Sequence, residues 1–314
     1  MRRLGMLFLL LAALAVALSS CVPLVEETAG EAQQVYATFY PFYALTALVA
    51  DGIEPLRVAC LTQPQDGCLR DYALSEWDLY LLMGADLVVA GGRGLESFES
   101  TLQSLGDGGP AVALTSYNYE LYNQEDDTEI SEESSHLEGA NPHLYMSIDG
   151  AKYIIEGVAL ALSQLYPQYS EQILSNMDAA DARLDELGAE MRSIAANAAG
   201  KRAILMNETL VYLAEDLSLE IAGQYDRESG EPLYEGDVDN CLDALAAMDA
   251  QVVLIEKQAP AATVETLREA GYTVALIDVL STLRADQGAE AYFTAQLENA
   301  QAIAEAFAQA EETN

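Results

Sequence analysis

Leu87-Val88-Val89-Ala90 is the run that decides the fold. It is short, apolar and uncharged, and it reads as a buried strand. Before it, residues 74–83 carry the amphipathic spacing of a helix. Upstream again, Val35-Tyr36-Ala37-Thr38-Phe39 reads as a strand, residues 43–49 as a helix and residues 56–61 as a strand. Downstream, Ala111-Val112-Ala113-Leu114 is another buried strand. Strands alternating with helices point to an α/β domain with a parallel sheet.

The alternation returns past residue 200. Ala203-Ile204-Leu205-Met206, Leu219-Glu220-Ile221, Val252-Val253-Leu254-Ile255 and residues 274–277 read as strands. Residues 210–217, 238–248, 261–270 and 289–308 read as the helices between and after them. Two helical stretches separate the two alternating regions. One covers residues 148–165, and Pro167 opens the second, which runs to about residue 198 before Gly200 ends it. A helix of that length is about 45 Å long at 1.5 Å per residue. The expectation is an α/β protein of two domains with parallel-type sheets, 35–147 and 201–314, joined by a helical connector at 148–200. Ligands in open α/β sheets sit beyond the carboxyl ends of the strands, so the ligand cleft is expected between the two domains. Residues 117–139 break the pattern. They are rich in Asp and Glu, lack Lys and Arg, and read as a solvated acidic loop carrying His136.

The amino terminus reads as an export signal. Met1-Arg2-Arg3 is basic, residues 4–18 are mainly apolar, and Leu18-Ser19-Ser20-Cys21 closes the segment. The apolar run is shorter than the ~20 residues that span a bilayer comfortably. Leu-Ser-Ser-Cys resembles the bacterial lipobox, which implies cleavage after residue 20 and lipid on Cys21. Residues 21–34 then read as a flexible, lipid-anchored tether. The expected location is extracytoplasmic, at a membrane surface.

Composition narrows the function. A formal charge of −37 repels nucleic acid and is compatible with attracting cations. Hydrophobic residues make up 51% of the chain, enough to bury real cores. Three cysteines remain besides Cys21, and outside the cytoplasm Cys60 and Cys68 are close enough in sequence to bridge a loop, leaving Cys241 odd. No Gly-x-Ser-x-Gly elbow, phosphate loop or His-Glu-x-x-His motif is present, so an enzyme is not expected.

The layout and several ordered motifs resemble the zinc/manganese solute-binding lipoproteins of ABC importers. The motifs are Val35-Tyr36-Ala37-Thr38-Phe39-Tyr40-Pro41, Asp71-Tyr72-Ala73-Leu74-Ser75, Asn141-Pro142-His143-Leu144-Tyr145-Met146-Ser147, Met206-Asn207-Glu208 with Tyr212-Leu213-Ala214, and Leu276-Ile277-Asp278-Val279-Leu280-Ser281. The resemblance implies a monomer that works with a permease and an ATPase and carries a divalent metal, zinc or manganese, as cargo. It also implies four ligand positions, usually three His and one carboxylate. Here they fall on Arg70, His143, Asn207 and Asp278.

Two of these keep a ligand type and two depart. His143 offers a neutral imidazole. Asp278 either ligates or caps the element that follows it. Asn207 offers only a carbonyl oxygen, which suits Mg, Ca or Mn better than Zn, or else caps the helix near Leu210. Its neighbour Glu208 is expected to point elsewhere. Arg70 has no lone pair to give. Unit charges ~4 Å apart at an effective dielectric near 20 interact by about 4 kcal/mol, and a dication facing Arg70 feels roughly twice that repulsion. Turned inward, Arg70 is expected to pair with Asp278 in the place of the metal; turned outward, it leaves three candidate ligands plus water. Two other readings follow. In one, the same fold takes an anionic or chelated solute against Arg70. In the other, it is a non-transporting interaction protein of the cell surface.

Overall fold

The computed structural model describes residues 33–64, 69–106, 108–117, 119, 141–225, 227, 232–233 and 237–313. Two four-stranded sheets organise them, and every strand pair is parallel. The first holds β1 (Gln33–Ala37), β2 (Leu56–Cys60), β3 (Leu87–Ala90) and β4 (Ala111–Leu114) in the order β2-β1-β3-β4. The second holds β5 (Arg202–Leu205), β6 (Glu220–Gln224), β7 (Val252–Glu256) and β8 (Thr273–Ile277) in the order β6-β5-β7-β8. The two orders are the same, so each half is built on one plan. The α/β class with two parallel sheets is as the alternation predicts.

The central strands β3 and β7 are buried along their whole length, as a continuous apolar run requires when helices cover both faces. Strand β1 differs from its sequence reading. It starts at Gln33 and stops at Ala37, because Gln33 and Gln34 pair with Leu56 and Arg57 while Pro41 sets the first turn of α1 (Tyr40–Val49). Helix α2 (Glu76–Met83) starts after Ser75, which accepts from Asp78 N while the Asp78 carboxylate accepts from Ser75 N. This capping box fixes its first turn. Helix α3 (Glu99–Gly106), polar and short, leads into β4.

The connector is a hairpin of α4 (Ile148–Leu165) and α5 (Ser170–Ile194), with a single 3-10 turn, Pro167–Tyr169, between them. Helix α5 is 25 residues, shorter than the sequence reading. In the second half, α6 (Val211–Asp216), α7 (Val238–Ala247) and α8 (Ala261–Glu269) alternate with the strands, and α9 (Glu290–Thr313) is the last described helix. Helix α9 packs on β8 and on α5. It also reaches the first half. Tyr292 Oη donates to Tyr145 O at 2.7 Å, and Gln296 Nε2 donates to Met146 O at 3.3 Å. One continuous apolar cluster includes Val88 of the first sheet, Leu254 of the second, Ile154 of α4 and Tyr292 of α9.

No described helix is long and apolar enough to cross a membrane. The expected signal, the lipidation site Cys21, Cys68 and nearly all of the acidic loop at 117–139, with His136, lie outside the described residues.

Candidate solute site between the halves

The strand orders create two equivalent switch points, between β1 and β3 and between β5 and β7, where ligands of open α/β sheets collect. Each crevice is filled by a buried glutamate. Glu96 accepts from Thr38 Oγ1 at 2.7 Å, Gly91 N at 2.8 Å and Gly92 N at 2.8 Å. Burial pushes its carboxyl above the usual range, and these hydrogen bonds oppose that push. Glu256 accepts from Asn207 Nδ2 at 2.7 Å and pairs with the buried Arg227. A buried, hydrogen-bonded glutamate thus stands at each switch point.

Arg70 sits on the 3-10 turn Leu69–Asp71 and points inward. Its Nη2 lies 2.6 Å from Glu208 Oε1, and its Nε donates to Gly94 O at 3.2 Å. The expected partner Asp278 is not the one it meets. The Asp278 carboxylate is already engaged: Oδ1 accepts from Leu280 N at 2.8 Å, and Oδ2 lies 3.7 Å from Lys257 Nζ. Its backbone is clamped by Asn299, which accepts from Asp278 N at 2.7 Å and donates to Asp278 O at 2.9 Å. So Asp278 acts as a local cap, and Arg70 takes the next carboxylate.

Glu208, which on a regular backbone would point elsewhere, meets Arg70 instead. The 3-10 turn Glu208–Leu210 explains this. Asn207 caps that turn, accepting from Thr209 N at 3.1 Å, and the tight turn swings Glu208 toward the first half. Both amide ends of Asn207 are therefore occupied, one by Thr209 and one by Glu256.

His143 is almost fully buried. Its Nδ1 lies 2.8 Å from Asn141 Oδ1, which also accepts from His143 N at 3.0 Å. Asn141 Nδ2 donates to Glu208 O at 2.6 Å, so the oxygen must face the imidazole. The imidazole then carries its proton on Nδ1 and its lone pair on Nε2. Burial, aided by the Arg70 charge, lowers the His143 pKa to about 3, so the ring stays neutral at ordinary pH. A neutral ring with an oriented lone pair is a ready ligand.

The structure thus brings Arg70, Glu208, Asn141 and His143 into one cluster and leaves Asp278 with Lys257 and Asn299. Among the described residues, no three His, Cys, Asp or Glu side chains stand grouped to hold a metal ion. Sequence reading missed Lys257 and Asn141. Lys257 directly follows the buried run ending at Glu256, a position as close to a strand end as Asp278. Cys60 and Cys241 are free thiols; burial pushes Cys60 up to about 11.

A family profile described as zinc-uptake complex component A, periplasmic, matches residues 35–306. Solved structures share the fold. The SBP FpvC from Pseudomonas aeruginosa in complex with Mn2+ aligns with a TM-score of 0.71 at 20% identity, covering 88% of this chain and 99% of that one. The metal-dependent lipoprotein YcdH from Bacillus subtilis aligns with a TM-score of 0.66 at 19% identity, covering 87% and 98%. A crystal structure of ZnuA gives 0.66 at 20% identity, covering 88% and 99%. Among curated protein sequences, none matches.

Proposed function

This chain belongs to the periplasmic zinc-uptake component A family, whose members bind solutes and are not enzymes, and on that premise we propose that it is the solute-binding lipoprotein of an ABC importer. Lipid on Cys21 tethers it, a permease and an ATPase are its partners, it works as a monomer, and its cargo is a divalent metal ion of the zinc or manganese class. The observation that carries the cargo reading is His143, a buried, neutral imidazole whose tautomer Asn141 fixes with Nε2 unprotonated. Asp278 is the second donor, and Glu208 joins the set once Arg70 lets it go. Asn207 joins only by giving up its cap and its bond to Glu256.

Elemental analysis of the purified full chain, followed by zinc and manganese titrations, tests this. The expected result is one bound dication per chain and a raised melting temperature. Protein that carries no metal and is stabilised by neither ion overturns the cargo reading.

A second reading is favoured by Arg70 itself. A guanidinium beside His143 suits an anionic solute or a metal that arrives with an anionic chelator, whose carboxylate or phosphate would take the place of Glu208 on Arg70. Under this reading simple zinc and manganese salts fail to bind, and metal affinity appears only when Arg70 is replaced by His.

A further inference from the structure

One face of α2 is apolar and open to solvent. Trp77, Tyr80 and Met83 are 64%, 66% and 71% exposed. They recur at a spacing of three, so they share one side of the helix. The Trp77 and Tyr80 rings stack, with centroids 5.2 Å apart and planes 22° from parallel. Asp78 and Leu82, on the opposite side, are buried against the first half. Of the six large hydrophobic residues exposed among the described residues, three lie on this one short helix. The other three, Leu160, Leu165 and Leu174, include no aromatic ring.

The place of this face in the fold says what covers it. Met83 lies just before the turn into β3. In that turn Asp86 N donates to Gln34 O at 2.8 Å, and Asp86 Oδ2 accepts from Gln34 N at 2.7 Å. The carboxyl end of α2 is therefore bonded, through that turn, to the start of β1. The chain arriving from Cys21 enters the fold at this point. Residues 22–32 separate Cys21 from Gln33. At 3.3–3.6 Å per residue they reach at most about 40 Å. A chain acylated at Cys21 is confined to that distance from the bilayer at this end of the first half.

Charge chooses between two kinds of contact. Asp71, Glu76 and Asp86 are exposed around the face, and the whole chain carries −37, so attraction to anionic headgroups is excluded. Stacked Trp and Tyr with a flexible Met fit the interfacial layer instead. There the apolar bodies of the rings enter the acyl boundary while N–H and O–H stay in water.

We propose that the Trp77–Tyr80–Met83 face of α2 rests on the lipid bilayer to which Cys21 tethers the chain. The proposal depends on the lipoprotein reading above. It makes the anchor a two-point contact that orients the first half instead of leaving it on a free tether.

Trp77 is the only tryptophan, so it reports on itself. Full-length protein purified from membranes is mixed with phosphatidylcholine vesicles, with and without brominated acyl chains, and floated on a density gradient. Floated protein should lose roughly half of its tryptophan emission to brominated lipid, because the ring lies at the acyl boundary. The Tyr80→Ser, Met83→Ser double variant changes only exposed side chains. It should float equally and escape most of the quenching. Flotation with unquenched Trp77, or equal quenching in parent and variant, overturns the proposal and leaves the anchor standing. Protein that does not float, with no acyl mass on Cys21, overturns the anchor and the proposal together.

Discussion

Arg70 Nη2 lies 2.6 Å from Glu208 Oε1, and this ion pair joins the first half of the molecule to the second. Both side chains are about one-third exposed, at 37% and 34%, so solvent screens them. A pair this open contributes on the order of 1 kcal/mol or less. It is strong enough to set where the two side chains rest and weak enough for a cargo to displace.

Replacing Arg70 by His removes the repelling charge and adds a ligand beside His143 and the freed Glu208. Arg70→His is expected to raise zinc affinity at least roughly tenfold, since the repulsion removed is worth more than the ~1.4 kcal/mol that factor represents. Isothermal titration of parent and variant measures it. Equal affinities would show that Arg70 does not face the cargo.

Asn207→Ala should destabilise the second half. It removes the cap of the Glu208–Leu210 turn and takes one hydrogen bond from the buried Glu256 carboxylate. Loss of a cap costs about 1 kcal/mol, and a buried acceptor left short costs a further 1–3 kcal/mol. Urea unfolding followed by circular dichroism should show a lower midpoint with an unchanged slope.

Asp216 sets a pH dependence. Burial raises its pKa from 3.8 to about 6, against the help of the Ile148 N–H at 2.6 Å. Between those values the folded chain holds a proton that the unfolded chain releases, so stability falls as pH rises from about 4 to about 6 and is level above. Asp216→Asn keeps the acceptor and removes the titration. It should gain up to about 3 kcal/mol over the parent at pH 7.5 and little at pH 4. Chemical denaturation at the two pH values gives the difference, and equal gains at both would refute the assignment.

Gly150→Ala tests the entry to α4. A methyl group there would come 2.2 Å from Leu144 O and 2.8 Å from Ser147 Oγ, the oxygen that accepts from Gly150 N. Neither group has room to retreat, because Leu144 and Ser147 are buried. The expected cost is about 1–3 kcal/mol, read as a lower melting temperature. An unchanged melting temperature would mean that the turn after His143 adapts freely.

The fold was legible because its signal is periodic and local. Val88 and Val253 lie in uninterrupted apolar runs, and helical spacing separates those runs. Helix α3 leaves little periodic signal because it buries only Leu102. The site was less legible, and the reason is geometric. The partner Arg70 takes depends on which carboxylates are already engaged. Asp278 is engaged by Leu280 N and Lys257, and Glu208 is turned inward by a 3-10 step that sequence spacing does not announce. Asn141 could have been weighed, since an amide two residues before a His is well placed to bond it.

Helix α9 couples two segments that are far apart in sequence. It is the last described element, yet it holds both the turn after His143, through Tyr292 and Gln296, and the backbone of Asp278, through Asn299. Until that helix docks, the turn after His143 and the backbone at Asp278 both lack these side-chain anchors. One helix thereby makes the order of two distant segments interdependent: neither is held unless α9 is in place.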